Sequence, residues 1–371
     1  MKPLPDLASR LLGGGVVAAN DEFFAERDNL VTPEPPTFRP QTFGAKGQVY
    51  DGWETRRRRE PGNDFAIVRL GVPGIVRRVV VDTSFFTGNY PPYASVEACG
   101  VEGYPSPDEL ARAEWSTLVP QSPLTGDHRN EFPVDAPERY THVRLSIYPD
   151  GGVARLRVHG EPVPDPRLVP AGLVDLAATE HGGLAVECSN MFYSAPNNLL
   201  LPGPARTMGE GWETARRRDD GNDWVLVRLA APGRIRLVEL DTSHFKGNAP
   251  GAAALSGVDN PAAGLEILPR TRLQPDTRHR LLVPGGAPRT GLVRLDVYPD
   301  GGMARLRLFG QLAAEDREAL ALRWFNALPA SQAREVLGDG GDGAGRLAEA
   351  RPVHEVAELP EQLRTAMCGI A

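Results

Sequence analysis

Short runs of apolar residues, many of them β-branched or aromatic, recur along most of the chain between turn-forming residues. Two such runs flank a Pro-Gly pair in the first half, and the same arrangement recurs in the second half. The runs are Phe65–Leu70 and Ile75–Asp82 around Pro73-Gly74, and Trp224–Leu229 and Ile235–Asp241 around Pro232-Gly233. Because runs of this length bounded by Pro and Gly are typical of strands, the pattern predicts strand, turn and strand in each half.

A further pair of apolar segments surrounds the sequence Tyr-Pro-Asp-Gly-Gly, at 148–152 and again at 298–302. In the first copy, apolar residues stand on both sides of it: Leu145, Ile147, Val153, Leu156 and Val158. Since Pro, Asp and Gly favour tight turns, this pattern predicts a β-hairpin. Evenly spaced short strands favour a β-sandwich, so we predict an all-β fold with a jelly-roll-like sandwich in each half.

The C-terminal residues follow a different pattern. Between Glu315 and Leu337, apolar residues recur at the spacing of a helix face. The Gly- and Asp-rich segment 338–345 is predicted to be a loop, and a second short helix is predicted over Val356–Met367. We therefore predict a helical extension over residues 313–371.

The two halves are copies of one another. Residues 51–70, DGWETRRRREPGNDFAIVRL, and residues 210–229, EGWETARRRDDGNDWVLVRL, are identical at 13 of 20 positions. Residues 82–91 match 241–250, residues 144–160 match 294–310, and a weaker match (FFAERDNL beside FYSAPNNL) precedes them. Four blocks in one order indicate two complete domains, over roughly 15–165 and 180–312, joined by the Pro-rich segment Glu161–Pro170.

Composition narrows the class of protein. The 371 residues are 41% hydrophobic and 24% charged, as expected for a globular chain of about two domains. A formal net charge of -7 argues against nucleic-acid binding, which normally needs a basic face. No apolar run approaches the length of about 20 residues that a membrane helix needs. With three widely spaced cysteines and an N-terminal apolar stretch broken by glycines, we expect a cytoplasmic protein.

Polar residues that recur in both copies are the candidates for chemistry. The first set is Trp53, Glu54, Arg57 and Arg58, repeated as Trp212, Glu213, Arg216 and Arg217. A guanidinium presents a planar fork of donors that suits a carboxylate, and a nearby Glu can act as a general base. The alternative is structural: the arginines pair with Asp64 and Asp223 and tie a loop to the sandwich.

The second set lies at predicted strand ends: Asp82 with Asn89 in the first copy, and Asp241 with Asn248 in the second. Loops at strand ends often carry sites, but an Asp there also caps a turn by accepting from backbone amides. One position differs, since Phe85 of the first copy is His244 in the second. A His can serve as a base or metal ligand, although a single His is more often simply hydrogen-bonded.

The motifs of several enzyme classes are missing. There is no HExxH, CxxC, Walker or GxSxG sequence, so zinc-thiolate, P-loop nucleotide and serine-hydrolase chemistry lack support. No group of ligands has diagnostic spacing, so the requirement for a divalent metal stays open, and no other cofactor is predicted.

The stretches DGWETRRRR…GNDF…VDTSFFTGNYP and EGWETARRR…GNDW…LDTSHFKGNAP resemble the allantoicase family, over about residues 15–312. The resemblance implies two galactose-binding-like jelly rolls in tandem, a homo-oligomer, and hydrolysis of allantoate to ureidoglycolate and urea in purine degradation through allantoin. The tail's NALP…A…VL…RP resembles the start of a decarboxylase from the same ureide pathway. It lacks the CCG-type core of that pattern, so we predict no activity for the tail.

The resemblance suggests a role for each candidate. Arg57 or Arg58, with Arg216 or Arg217, would bind the substrate carboxylate, and the remaining binding residues would be Asn89, Asn248, Trp53 and Trp212. The acid/base candidates are Asp82, Asp241, Glu54 and Glu213, with His244 as an alternative. Either copy could hold the working site, and so could a junction between copies or between subunits. The competing classes are a non-catalytic galactose-binding-like ligand-binding protein and a degenerate relative of the enzyme.

Overall fold

The computed structural model describes residues 3–170, 172–258, 265–338 and 342–368. The chain divides into two units, one of residues 6–161 and 327–350 and the other chiefly of residues 162–326 and 351–368. Each unit contains one copy of the repeat, called repeat 1 and repeat 2 below. Each has its own hydrophobic core, because the strands of each copy turn their apolar faces toward one another.

Repeat 1 is built from strands β1 (Gly15–Ala19), β2 (Phe43–Gly44), β3 (Gly47–Gln48), β4 (Trp53–Glu54), β5 (Asp64–Asp82), β6 (Tyr93–Cys99), β7 (Ser116–Pro123), β8 (Arg129–Pro133), β9 (Arg139–Tyr148), β10 (Gly152–Val153) and β11 (Arg155–Pro162). One layer has the order β1-β5-β9-β6-β7, and β8 and β11 pair with β5 outside that path. All the pairings whose register is described are antiparallel.

The long strand β5 belongs to both layers of the sandwich. Its first half pairs with β1 and β9, and its second half pairs with β8 over Arg78–Asp82. The register with β9 shifts between Arg69 and Gly74, where the strand passes between layers. The predicted turn at Pro73-Gly74 is therefore wrong: the chain bends there but does not reverse, because each half finds partners elsewhere in the fold.

The predicted hairpin around residues 148–152 is also wrong. β9 pairs with β5 and β6, β10 pairs with β4, and β11 pairs with β5. The strands on either side of the turn residues pair with different parts of β5 and not with each other. Pairing in a sandwich depends on long-range contacts that local turn chemistry does not specify.

Repeat 2 has the same arrangement. Its strands are β12 (Leu173–Asp175), β13 (Leu184–Cys188), β14 (Trp212–Glu213), β15 (Asp223–Asp241), β16 (Ala252–Gly257), β17 (Leu265–Arg272), β18 (Arg278–Leu282), β19 (Thr290–Tyr298), β20 (Gly302–Met303) and β21 (Arg305–Gln311). The long strand β15 again pairs with one set, β13 and β19, and then with another, β18 and β21. The predicted fold class, two duplicated β-sandwiches in tandem, is confirmed.

Helices are few and short. They are α1 (Pro107–Arg112) in repeat 1, and α2 (Ala314–Ala327), α3 (Ala330–Leu337), α4 (Asp342–Glu349) and α5 (Glu361–Cys368) in the C-terminal extension. Single 3-10 turns occur at Arg10–Leu12, Arg27–Val31, Pro166–Leu168, Thr179–His181, Pro196–Leu200, Met208–Glu210 and Val356–Glu358. In the described part of the chain, no helix is both long and apolar enough to cross a membrane.

The extension is helical as predicted, with different boundaries. The predicted helix over 315–337 is two helices, because Pro329 restricts Leu328 and starts α3 instead of continuing α2. Pro360 likewise separates a 3-10 turn from α5. Of the predicted loop 338–345, residues 339–341 lie outside the described residues. Its end is occupied by α4, where Arg346, Leu347 and Ala348 are good helix formers.

Candidate active site

A Glu–Asn hydrogen bond joins the two candidate motifs in each repeat. β4 pairs with β10, and β14 with β20, so that the indoles of Trp53 and Trp212 face the core and the next residue faces outward. Asn89 Nδ2 donates to Glu54 Oε1 at 2.7 Å, and Asn248 Nδ2 donates to Glu213 Oε1 at 2.6 Å. The fold thus brings together two predicted site residues that lie 35 positions apart in each copy.

The surroundings of Glu54 change its pKa. Burial raises the pKa of Glu54, and the hydrogen bond from Asn89 partly offsets that rise because it stabilises the carboxylate. Raised carboxyl pKa values are a property of groups that exchange protons near neutral pH. Glu54 therefore has the environment of an acid/base residue.

The two tryptophans have no exposed surface. Trp53 and Trp212 are fully buried, and their Nε1 atoms donate to the carbonyl oxygens of Asp21 at 2.7 Å and Asn190 at 2.9 Å. A buried indole offers no face to a ligand, so the expectation that these residues contact substrate is replaced by a packing role. Each anchors the segment that carries the Glu.

One arginine of each motif holds the loop to the sandwich. Arg58 Nη1 donates to Asp64 Oδ1 at 2.8 Å, and Arg217 Nη1 donates to Asp223 Oδ1 at 2.9 Å. Both aspartates are buried. The backbone N–H groups of the two arginines donate to Asp150 and Asp300. For Arg58 and Arg217, the structure therefore matches the structural alternative, in which the arginine pairs with Asp64 or Asp223 and ties the loop to the sandwich.

The neighbouring arginines are free. Arg57 and Arg216 are exposed, and neither makes a hydrogen bond or an ion pair with any of the described residues. Arg59 and Arg218 are in the same condition. Since an anion needs donors that are not already satisfied, the structure favours Arg57 over Arg58 and Arg216 over Arg217 as carboxylate ligands.

The strand-end aspartates form turns. Asp82 Oδ1 accepts from the backbone N–H of Ser84 at 2.9 Å and from its hydroxyl at 2.6 Å, and Asp241 Oδ1 accepts from Ser243 N–H at 2.8 Å. Both aspartates are buried. The geometry matches the capping alternative, in which the carboxylate satisfies a backbone amide at the end of a strand.

His244 is exposed and hydrogen-bonded to the backbone. Its Nε2 lies 2.9 Å from the carbonyl oxygen of Ala205, and since a carbonyl only accepts, Nε2 carries the proton. The residue has φ of 72°, and Phe85 at the same position of repeat 1 has φ of 69°. Both copies therefore have the same left-handed backbone conformation at this position, although the side chains are unrelated.

Sequence reasoning missed residues around the arginines of repeat 1. A surface hollow of about 430 Å³ is lined by Asn20, Asp21, Arg56, Arg57, Arg58, Arg59, Glu60 and Asp64. Asn20 donates to Asp64 at 2.9 Å, and Asp21 accepts from Arg56 Nε at 2.6 Å. Asn20 and Asp21 lie three and two positions before the weakest of the four repeated blocks, which begins at Phe23, and that position is the one signal in the sequence that pointed toward them.

The described residues contain no group of three or more His, Cys, Asp or Glu side chains placed to hold a metal ion. The arginines and carboxylates described above can bind an anion and exchange protons.

The protein is a duplicated β-sandwich. Each copy has exposed arginines without a partner among the described residues, and a hydrogen-bonded Glu–Asn pair. A model of the allantoicase repeat matches residues 5–163 and 174–313. The chain belongs to the allantoicase family. The predicted assignment to this family of hydrolases is confirmed, and the extension after residue 313 lies outside the match.

Relatives match over nearly their whole length. A probable allantoicase of Nocardia farcinica is 61% identical over 311 residues, which are 83% of this chain and 94% of the relative. A probable allantoicase of Streptomyces coelicolor is 52% identical over 332 residues, 86% of this chain and 88% of the relative. The crystal structure of allantoicase from Saccharomyces cerevisiae is 34% identical with a TM-score of 0.71, covering 83% of this chain and 93% of that one.

Proposed function

We propose that this chain hydrolyses allantoate to ureidoglycolate and urea. The observation that carries the proposal is the free Arg57, three residues after the Glu54–Asn89 pair, in a member of the allantoicase family. Three residues of extended chain span at most about 11 Å, so the backbones of Glu54 and Arg57 lie no further apart than that.

The reaction needs an anion site and a proton carrier. Allantoate carries a carboxylate and two ureido arms on one carbon. Water adds to that carbon while its bond to one ureido nitrogen breaks; the hydroxyl stays on the carbon, and the water proton ends on the leaving urea. One group that first takes the proton from water and then gives it to the nitrogen completes the balance.

Each role falls to a described side chain. Arg57 binds the carboxylate, because its donors are unoccupied and a fork of donors suits two oxygens. Glu54 carries the proton, and Asn89 holds the Glu54 carboxylate in place. Arg216, Glu213 and Asn248 occupy the matching positions of repeat 2, and the proposal gives them no role in binding or proton transfer. Asp82, Asp241 and His244 are assigned to turn structure instead of catalysis, because each is already hydrogen-bonded to the backbone.

The wider assignments are proposals of the same kind. We infer that the chain acts in the cytoplasm as a homo-oligomer on a small-molecule substrate, without nucleic acid or membrane as a partner. Its domains are taken as residues 15–165, 180–312 and 313–371. Sedimentation of the purified protein and fractionation of cells that make it test the first two inferences.

The proposed reaction is tested by incubating the purified protein with allantoate and following urea. We expect urea in one-to-one ratio with the allantoate consumed, and the same assay after treatment with a chelator decides whether a metal takes part. Calorimetric titration with allantoate and with simple sugars is the control. Sugar binding without urea release would contradict the enzyme and favour a ligand-binding module.

A further inference from the structure

Each repeat has a cluster of consecutive arginines, Arg56–Arg59 in repeat 1 and Arg216–Arg218 in repeat 2. The two clusters differ in how many of their positive charges are paired with carboxylates. In repeat 2, Arg217 Nε and Nη2 donate to Asp219 at 2.9 and 3.0 Å, while Nη1 donates to Asp223 at 2.9 Å. The hydrogen bonds that Arg217 donates to Asp219 and Asp223 raise the pKa of Arg217. All three nitrogens of that guanidinium are therefore used, and two carboxylates face one cation.

In repeat 1 the matching contacts are fewer. Glu60 stands at the position of Asp219, yet it makes no ion pair with Arg58 in the structure. Arg58 keeps its contact to Asp64, but its Nε is buried and donates to none of the described groups. The cluster thus keeps more positive charge unmatched than its copy does.

Substitutions add to the difference. Repeat 2 has Ala215 in place of Arg56 and Asp220 in place of Pro61, so it carries one arginine fewer and one aspartate more in this segment. The exposed Arg57 and Arg59 line the hollow of about 430 Å³. Two free guanidiniums in one concave surface are the arrangement that holds a small carboxylate or similar anion.

The same hollow also contains acceptors. Burial would raise the pKa of Asp21, but hydrogen bonds from Phe23 N–H and from Arg56 hold that pKa below its ordinary value. Asp21 is thus a carboxylate at neutral pH, and Glu60 is exposed beside it. The corresponding residue of repeat 2 is the neutral Asn190, which donates and accepts. Carboxylates next to arginines suit a ligand that has an anionic end and urea-type N–H groups.

We propose that the hollow of repeat 1 is the substrate subsite, with Arg57 and Arg59 on the anionic end and Asp21 and Glu60 facing the N–H groups of a small ureido carboxylate, and that the matching segment of repeat 2 is not. The identity of the ligand rests on the proposed function. The assignment to repeat 1 rests on the contacts of the arginines, and the two are tested separately.

The experiment compares matched variants, Arg57→Gln in repeat 1 and Arg216→Gln in repeat 2. Both residues are exposed and lack partners among the described residues, so neither substitution is expected to disturb folding, which a melting curve checks. Loss of a charge-assisted contact is expected to weaken allantoate binding by about 10- to 100-fold in Arg57→Gln. Arg216→Gln is expected to stay within about twofold of the wild type. Arg57→Lys keeps the charge and is expected to recover part of the loss.

Calorimetric titration with allantoate decides the subsite, and urea release by the wild type decides the reaction. Weakened binding in Arg57→Gln alone supports the assignment, even if the wild type releases no urea and the proposed reaction fails. Equal weakening in both variants, or weakening in Arg216→Gln alone, overturns the assignment while leaving the reaction intact. A wild type that binds no allantoate contradicts both.

Discussion

The loop that precedes the Trp-Glu motif is longer in repeat 1 than in repeat 2. Gly52 follows Leu30 by 22 positions, whereas Gly211 follows Leu199 by 12. The additional residues carry a stack of aromatic rings, with centroid distances of 5.8 Å from Phe38 to Phe85 and 5.7 Å from Phe38 to Tyr50. In repeat 2 the position of Phe85 is His244, which instead binds the carbonyl oxygen of Ala205.

The comparison shows which features stayed the same in the two copies after duplication and which changed. The backbone at the Phe85/His244 position has nearly the same φ in both copies, and a fully buried ring, Phe86 or Phe245, follows it. That ring packs so closely on Gly152 or Gly302 that no Cβ fits there. Buried contacts were kept because each change costs packing, whereas the exposed side chains diverged with the loops they meet.

The largest expected effect is a loss of stability on removing the buried tryptophan that both copies share. Trp53→Ala and Trp212→Ala each remove a fully buried indole that anchors the motif. We expect each to lower the free energy of unfolding of its own repeat by about 3–5 kcal/mol. Chemical denaturation followed by circular dichroism measures the loss. A cost below about 1 kcal/mol in either variant would mean that this copy does not depend on its tryptophan.

The next effect is confined to repeat 1. His142 is buried where repeat 2 has Leu292, and burial, with a smaller contribution from the charge of Arg69, lowers the pKa of His142 to about 4. A pKa below the unfolded value of about 6.5 gives stability that is present above pH 6.5 and lost as the pH falls toward 4. The full loss is on the order of 3 kcal/mol.

His142→Leu is the variant that tests this pH dependence. Between pH 6.5 and 4 we expect the stability of the wild type to fall more steeply than that of His142→Leu, since both share all other titrating groups. Denaturation midpoints at a series of pH values provide the comparison. Parallel curves for the two proteins would show that His142 is protonated as easily in the folded chain as in the unfolded one.

The smallest effect concerns the strand-end aspartates. In Asp82→Asn and Asp241→Asn, the amide oxygen can still accept from Ser84 or Ser243, so the turn is kept. We expect urea release within about threefold of the wild type in both variants, because the account gives neither residue a proton to move. A loss greater than about tenfold in one of them would return that residue to the acid/base role.

Much of the fold could be predicted from the sequence, because the repeated blocks show where each domain lies and which residues recur in both. The repeated blocks predicted two sandwiches, and the apolar runs on either side of each Pro-Gly pair were correctly predicted as extended chain. The Pro-Gly bends were wrongly predicted as turns. A Pro-Gly pair is compatible with a turn or with a bend in a continuing strand, and the pairing of β5 on both sides of Pro73-Gly74 makes it a bend.

The site was accessible only in part. The motifs pointed to Glu54, Arg57 and Asn89, but the contact between Glu54 and Asn89 joins residues far apart in the sequence. The choice between Arg57 and Arg58 depends on which of them meets a buried carboxylate, and that follows from the bend of the loop over Asp64. Residue type suggests the chemistry, and long-range packing decides which side chain is left free.

The central claim is that repeat 1 carries the proton-transferring group of a ureide hydrolase. The direct measurement is urea release from allantoate by Glu54→Gln and by its matched control Glu213→Gln. Removing a general acid/base group is expected to lower the rate by about 10²- to 10⁴-fold in Glu54→Gln, while Glu213→Gln stays within about threefold of the wild type. Full activity in Glu54→Gln, or an equal loss in both variants, would contradict the claim.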